Sequence, residues 1–389
     1  MTFTLEPTYD DHPRLQGMVA DLRRYLTEEL IPFEREHGIT RETPLDRAVL
    51  EQIWKRSREL GFYGANLPEE LGGKGLSLFE LCALKEELTA HGAALGHSVL
   101  GDMGGPLRAG AILRYATEYQ LERYLLPVVR GERACCFSLT EDDAGSDVRR
   151  MTTTAVRDGD SYVLTGKKVF SSAAPIADFS ILVARMEGEG EVYSAFLVDL
   201  DSPGCRVEEG AVPMSGQRIE GDIVLENCRV PAENLLGEIG QGLRIGIGRI
   251  TMNRLLHCPT LIGGARRAWD LSVEYSRTRI VAGQPLLALQ AIQHKLADMA
   301  TDVYAARSMV LATAAKADKK QDISVEANMC KLFTAENCFR VADQAVQIHG
   351  KAGLTQGHEV EGIFRSLRMF RIVTGTSEIH RNAIAKALA

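Results

Sequence analysis

The sequence predicts an α+β multidomain fold. A helical N-terminal domain covers residues 1–130, a small antiparallel β domain covers 131–235, and a C-terminal four-helix bundle covers 236–389. Three observations predict it. Up to about residue 130 the apolar residues recur with a helical period, and no segment alternates as a strand does. From residue 131 short β-branched runs appear, bounded by turn residues. From "GQGLRIGIGRI" onward the helical period returns in long segments with short breaks, as a bundle requires.

Each element has its own reason. "LQGMVADLRRYLTEELIPF" sets Leu15, Met18, Val19, Leu22 and Leu26 on one helical face. "AVLEQIWKRSRELGFYGANLPEELGGKGLS" gives a helix followed by a loop that Gly72, Gly73 and Gly75 punctuate. In "MTTTAVRDGDSYVLTGKKVFSSAA" two β-rich runs flank "RDGD", which predicts a tight hairpin. "FSILVARM", "VYSAFLVDL" and "DIVLENCRVP" supply further strands. Four stretches beginning at "LIGGARRAWDLSVEYSRTR" supply the bundle.

Composition excludes several function classes. The chain has 389 residues, 45% hydrophobic and 25% charged, enough for a sizeable core. The net charge of −7 and the absence of a basic block argue against nucleic acid. No apolar run reaches the roughly 18 residues of a membrane span, and the polar start "MTFTLEPTYDDHPRL" is unlike a signal peptide. A cytoplasmic protein is the expectation. The eight cysteines include no CxxC pair and no zinc spacing, so no metal is expected, and Cys135 and Cys136 read as reduced core residues.

Several phrases together resemble the acyl-CoA dehydrogenase family, from "GANLPEELGGKGLS" to the last helix. "SLTEDDAGSD" resembles that family's "TEPGAGSD", with Asp142 and Asp143 in place of Pro-Gly. "KKVFSSAA" resembles "QKMWITNG". "SRTRIVAGQPLLALQAIQHKLADMA" resembles "RxxFGxxLxxxQAIxxxLADMA", with Ala282 in place of the aromatic. "QAVQIHGKAG" resembles "QxxGGxG", with Lys351 in place of the second glycine. The resemblance implies an acyl-CoA dehydrogenase-like fold and bound FAD. It puts Thr140 at the isoalloxazine edge, Ser146 near the pyrophosphate, Phe170 on a flavin face and Ser172 near flavin N5. Arg279, Gln290, Gln347 and Gly350 would hold the adenine end of a neighbouring subunit's FAD, implying a homotetramer. Thr376 and Glu378 in "TGTSEIH" would turn against FAD and the thioester, and Thr376 also reads as an ordinary helix N-cap.

"VPMSGQRIEGDIVLENCRVP" resembles "MGQRxSDT…FEDVxVP", keeping Arg218 and the Val230–Pro231 pair. Where the family carries an acidic residue that docks electron-transferring flavoprotein, this chain has Val212. In "GHSVLGDMGGP", His97 and Asp102 fall where the family lines its acyl-tail pocket, as a reader of a polar acyl group or as ordinary polar residues of a loop.

The family removes the α proton of an acyl thioester with a carboxylate while the β hydride goes to flavin. Of its two base positions, one is Thr374 here and the other is Asn253, beside the substrate-side Arg254. Neither is acidic, and Glu361 reads as a partner of Arg365. The leading expectation is a flavin-dependent α,β-dehydrogenase of an acyl-CoA or acyl-carrier thioester with a base from elsewhere. The alternatives are a β-eliminating, desulfinase-like lyase and a non-catalytic subunit of a hetero-oligomer.

Overall fold

A computed structural model describes residues 3–110 and 112–388, the side chains of residues 249 and 251 excepted. In the N-terminal domain, α1 (Pro13–Tyr25) runs through a wider turn into α2 (Ile31–Glu36). Leu15, Met18, Val19, Leu22 and Leu26 are all buried, so the expected face is the packed one. The Asp46 side chain accepts the amides of Ala48 and Val49 and starts α3 (Arg47–Glu59). A capping box between Ser77 and Glu80 starts α4 (Leu78–Ala90). Short turns α5 (Gly96–Val99), α6 (Pro106–Ala109), α7 (Ile112–Tyr115), α8 (Glu118–Gln120) and α9 (Leu126–Val129) lead to the sheet.

Helix α4 is wrapped on all sides, and three consecutive charged residues are buried with it: Lys85, Glu86 and Glu87. Arg266 embraces Glu87 at 2.7 and 3.0 Å and reaches Glu86 at 3.1 Å. Arg23 adds a bond to Glu87 at 2.9 Å, and Arg307 binds Glu86 at 2.9 Å. Arg23 stands on α1. Arg266 and Arg307 stand on the two longest helices, α10 (Gly242–Thr278) and α11 (Gln290–Asp318). This network ties the N-terminal domain to the bundle. Gly263 allows the approach, because a Cβ there would lie 2.3 Å from the Glu86 carbonyl oxygen.

The sheet has the order β6-β7-β3-β2-β4-β5-β8, with β1 also paired to β4. Its strands are β1 (Cys135–Ser138), β2 (Thr154–Asp158), β3 (Ser161–Ser172), β4 (Phe179–Met186), β5 (Tyr193–Asp199), β6 (Cys205–Glu209), β7 (Glu220–Pro231) and β8 (Leu235–Leu236). "RDGD" makes the β2–β3 hairpin, pairing Asp158 with Ser161 across Gly159 and Asp160. The sheet is mixed rather than purely antiparallel, since β1 and β2 both run parallel to β4. Alternation reports which face a residue takes and is silent on strand direction, which the crossover of residues 139–153 sets.

In the bundle, α10 packs with α11 and α12 (Ser324–His349), and α13 (Glu359–Met369) and α14 (Ser377–Lys386) close it. With 37 residues, α10 is ~55 Å long. Its first turns lie on the sheet, Gly242 against Ser194 and Gly246 against Phe137. At its far end Tyr275 stacks on His349 of α12, centroids 4.5 Å apart. Cys82, Cys205, Cys228, Cys258, Cys330 and Cys338 are free thiols, and Cys135 and Cys136 are buried. No helix among the described residues is long and apolar enough to cross a membrane.

Burial opposes ionisation of Glu87, but Arg266 and Arg23 outweigh it and hold the carboxyl at about 2, below its ordinary 4.5. A depressed carboxyl contributes stability above its unfolded value and loses it as pH falls through the folded one. The contribution, about 3 kcal/mol, is therefore complete above roughly pH 4.5 and fades towards pH 2. Thermal melts across that range should show Glu87→Gln well below the parent at pH 7, with the gap narrowing as pH falls. A constant gap would refute the assignment.

Candidate active site

The expected cofactor residues divide into two groups. The first lies on the sheet. Lys168 is fully buried on β3, and its Nζ donates to Glu141 Oε1 at 2.7 Å. Glu141 also accepts the amides of Thr152 at 2.6 Å and Thr153 at 3.1 Å. Burial alone would raise this carboxyl, yet Lys168 holds it at about 2. The pair fastens the "TEDDAGSD" loop to β3, as does the Val169 amide bonding the Thr140 carbonyl at 2.9 Å. Thr140 is half-buried and Ser146 exposed.

Two residues further along β3, a bulge between Lys168 and Ser171 puts Phe170 at φ 52°, 53% exposed. A bulky residue rarely holds a positive φ, and such strain concentrates at functional sites. Ser172 donates to Glu220 Oε1 at 2.9 Å, while Oε2 of Glu220 is buried with no partner among the described residues. An exposed aromatic face, a hydroxyl beside it and a loop of free backbone groups could hold a planar heterocycle.

The second group sits at the other end of α10. Arg279 follows its last turn, and a two-residue hairpin through Ala282 (φ 50°) and Gly283 (φ 83°) leads to Gln290 at the start of α11. Gln347 and Gly350 close α12 nearby, where Tyr275 meets His349. All four are exposed. Gly350 has φ 57° and ψ −129°, a conformation suited only to glycine. Lys351 has right-handed backbone, so lysine replaces glycine there without strain. With ~55 Å of helix between them, the two groups do not meet within one chain.

The segment before α14 folds as a turn. Thr376 caps α14 and accepts the Ile379 amide at 3.3 Å, while Glu378 points outward towards Arg381. Glu361 pairs with Arg365, as expected. Thr374 takes φ 63°, unusual for a β-branched residue, and its Oγ1 lies 3.4 Å from His257 Nδ1. His257 is one turn along α10 from Asn253, which is half-buried. Arg254 is also half-buried, and its Nε has no partner among the described residues. Burial, only partly offset by Asp102, lowers the imidazole of His257 to about 3.

The N-terminal domain contributes the remaining wall. Lys85 pairs with Asp102, and Arg108 Nε donates to the Asp102 carbonyl at 2.8 Å. Burial opposes the Asp102 charge, but Lys85 and Arg108 outweigh it and hold the carboxyl well below its usual range. Burial lowers His97 to about 4, and its Nε2 has no partner among the described residues. Asp102 and Arg108 both act electrostatically on His97 and His257, and Arg108 acts on Glu220. The sequence-predicted His97, Asp102, Arg254, Asn253 and Thr374 are thus joined by four residues that sequence reasoning missed: Lys85, Arg108, Glu220 and His257. For His257 a signal existed, its i,i+4 spacing from Asn253. For the others no local pattern marks them.

Three family descriptions cover nearly all of the chain: acyl-CoA dehydrogenase N-terminal domain over residues 13–132, middle domain over 136–228 and C-terminal domain over 240–389. A caffeyl-CoA reductase–Etf complex subunit of Acetobacterium woodii is 35% identical over 95% of this chain and 97% of its own length. A 3-(aryl)acrylate reductase of Clostridium sporogenes is 33% identical over 97% and 98%. A Mycobacterium smegmatis glutaryl-CoA dehydrogenase, solved in complex with FADH2, superposes with a TM-score of 0.86 at 25% identity, covering 98% of this chain and 97% of the other. The chain belongs to the acyl-CoA dehydrogenase family of flavin-dependent oxidoreductases.

Because threonine is strained at φ 63°, Thr374→Asn, which tolerates that backbone, should stabilise the protein by about 0.5–1 kcal/mol. Melting should rise by about 1–2 °C. A lower melting temperature would show that the Thr374–His257 contact outweighs the strain.

Proposed function

We propose that the protein binds FAD and interconverts a saturated acyl thioester with its α,β-unsaturated form, moving the α proton through Thr374 and His257. The observation that carries this is the approach of Thr374 Oγ1 to His257 Nδ1 at 3.4 Å. At the position where relatives use a carboxylate, a hydroxyl is backed by a neutral imidazole. In dehydrogenation the hydroxyl takes the α proton as its own passes to Nδ1, and Asp102 steadies the charge that His257 acquires. Active-site hydrogen bonds are commonly long before substrate closes the site. FAD, when bound, would supply the acceptor for the β hydride.

Phe170, Ser172, Thr140 and Ser146 would hold the flavin end of FAD, with Thr376 and Glu378 at the turn facing it. Arg279, Gln290, Gln347 and Gly350 would hold the adenine end of a neighbour's FAD. That division supports an oligomer, a homotetramer by family habit. The name of the Acetobacterium woodii relative supports a CoA thioester and electron-transferring flavoprotein as the redox partner. Val212 is an exposed apolar residue where an acidic docking residue was expected, so docking would rest on other contacts.

Anaerobic flavin bleaching tests the relay. His257→Gln and Thr374→Val should each slow reduction by ~10²-fold or more while thioester still binds. Thr374→Glu should restore reduction even in the His257→Gln background. Full-rate bleaching by His257→Gln would exclude the relay. Slow bleaching that Thr374→Glu cannot rescue would point to elimination or to a binding subunit.

The pH profile gives a second check. An imidazole held near 3 is neutral throughout the physiological range, so flavin reduction should be level between about pH 5 and 8. An ordinary histidine would inflect near 6.5, and such an inflection would contradict the burial of His257.

A further inference from the structure

The relay leaves the opposite wall of the site unexplained. Asp102, whose amide donates to the His97 carbonyl at 3.1 Å and whose carbonyl accepts from Arg108 at 2.8 Å, acts electrostatically on His257, and Arg108 acts on Glu220, the partner of Ser172. Asp102 keeps 38% of its side-chain surface accessible, yet burial is the largest influence on its charge. Its accessible side lies beside Arg108 and His97, and these neighbours mark a polar cleft. A hydrocarbon tail calls for apolar walls, and this wall is polar.

The bonding capacity left open is specific. Lys85 occupies Oδ2 of Asp102, and Oδ1 has no hydrogen bond among the described residues. Arg108 spends Nε on the Asp102 carbonyl, and its two terminal nitrogens have no partner among those residues. Nε2 of His97 and Oε2 of Glu220 are buried without partners among the described residues. Two acceptors and two donor-bearing groups thus await a ligand. Covering them with hydrocarbon would strand each one, whereas a ligand hydroxyl donates to one and accepts from another. A ligand carboxylate would meet Arg108 but also the Asp102 carboxylate and the open oxygen of Glu220.

We propose that this cleft selects an acyl group bearing a hydroxyl or a comparable neutral hydrogen-bonding substituent, in preference to a plain hydrocarbon or a carboxylated chain. The proposal rests on the acyl-thioester reading above but not on the proton relay. A site built to bond a hydroxyl discriminates strongly against the analogue lacking it.

The test is equilibrium binding to the FAD-loaded protein, read from perturbation of the flavin spectrum under anaerobic conditions. The ligands are butyryl-CoA, 3-hydroxybutyryl-CoA, 4-hydroxybutyryl-CoA and succinyl-CoA. At least one hydroxylated thioester should bind ~10-fold or more tightly than butyryl-CoA, and more tightly than succinyl-CoA. Asp102→Asn should shrink the preference for hydroxyl and improve succinyl-CoA binding. The comparison of ligands on the unmutated protein stands even if that variant folds poorly. Equal or tighter binding of butyryl-CoA or succinyl-CoA overturns the proposal. Failure of all four to bind overturns the acyl-thioester reading itself, and this inference with it.

Discussion

Three adjacent charges on a buried helix hold this molecule together. Lys85, Glu86 and Glu87 occupy one turn of α4, where a helix buried on all sides would ordinarily carry apolar residues. Such a cluster persists only if each charge meets an opposite one in good geometry. Arginines from α1, α10 and α11 meet the two carboxylates, so the ion pairs double as the joint between N-terminal domain and bundle. Lys85 turns the other way, to Asp102. One helical turn therefore sets both the domain arrangement and the polarity of the proposed substrate wall.

Two of the non-glycine residues held at positive φ stand where chemistry is proposed. Phe170 and Thr374 both hold positive φ, one on the sheet and one at the turn before the last helix. Each is anchored close by: Phe170 by the buried Lys168–Glu141 pair, Thr374 by the capped helix that Thr376 starts. A backbone so constrained presents its side chain in one direction, as a preorganised site requires.

Much of the fold was legible in the sequence because it is local. The apolar face from Leu15 to Leu26 is one helix period repeated, the "RDGD" hairpin is turn chemistry, and the Glu361–Arg365 pair is i,i+4 spacing. The direction of β1 and β2 was not legible, because side-chain alternation is the same in either direction. Nor was most of the polar wall. Lys85, Arg108 and Glu220 come from three separate segments, and only the fold brings them within electrostatic reach. The two residues that lack the usual carboxylate, Asn253 and Thr374, were visible at once, yet the group beside them was overlooked because α10 reads as continuous helix. His257 carried only its i,i+4 spacing from Asn253 as a signal, and its neighbours are what make it distinctive.

The length of α10 separates two duties of a single chain. His257 lies about two fifths of the way from the sheet, and Arg279 follows the far end. If the adenine end of FAD is gripped across a subunit boundary, each centre draws its proton relay from one chain and part of its cofactor grip from another. Inactivating lesions at the two ends would then complement one another. A mixed oligomer of subunits defective at His257 and subunits defective at Arg279 would contain some centres assembled wholly from sound halves, and two inactive proteins co-assembled would give a partly active one.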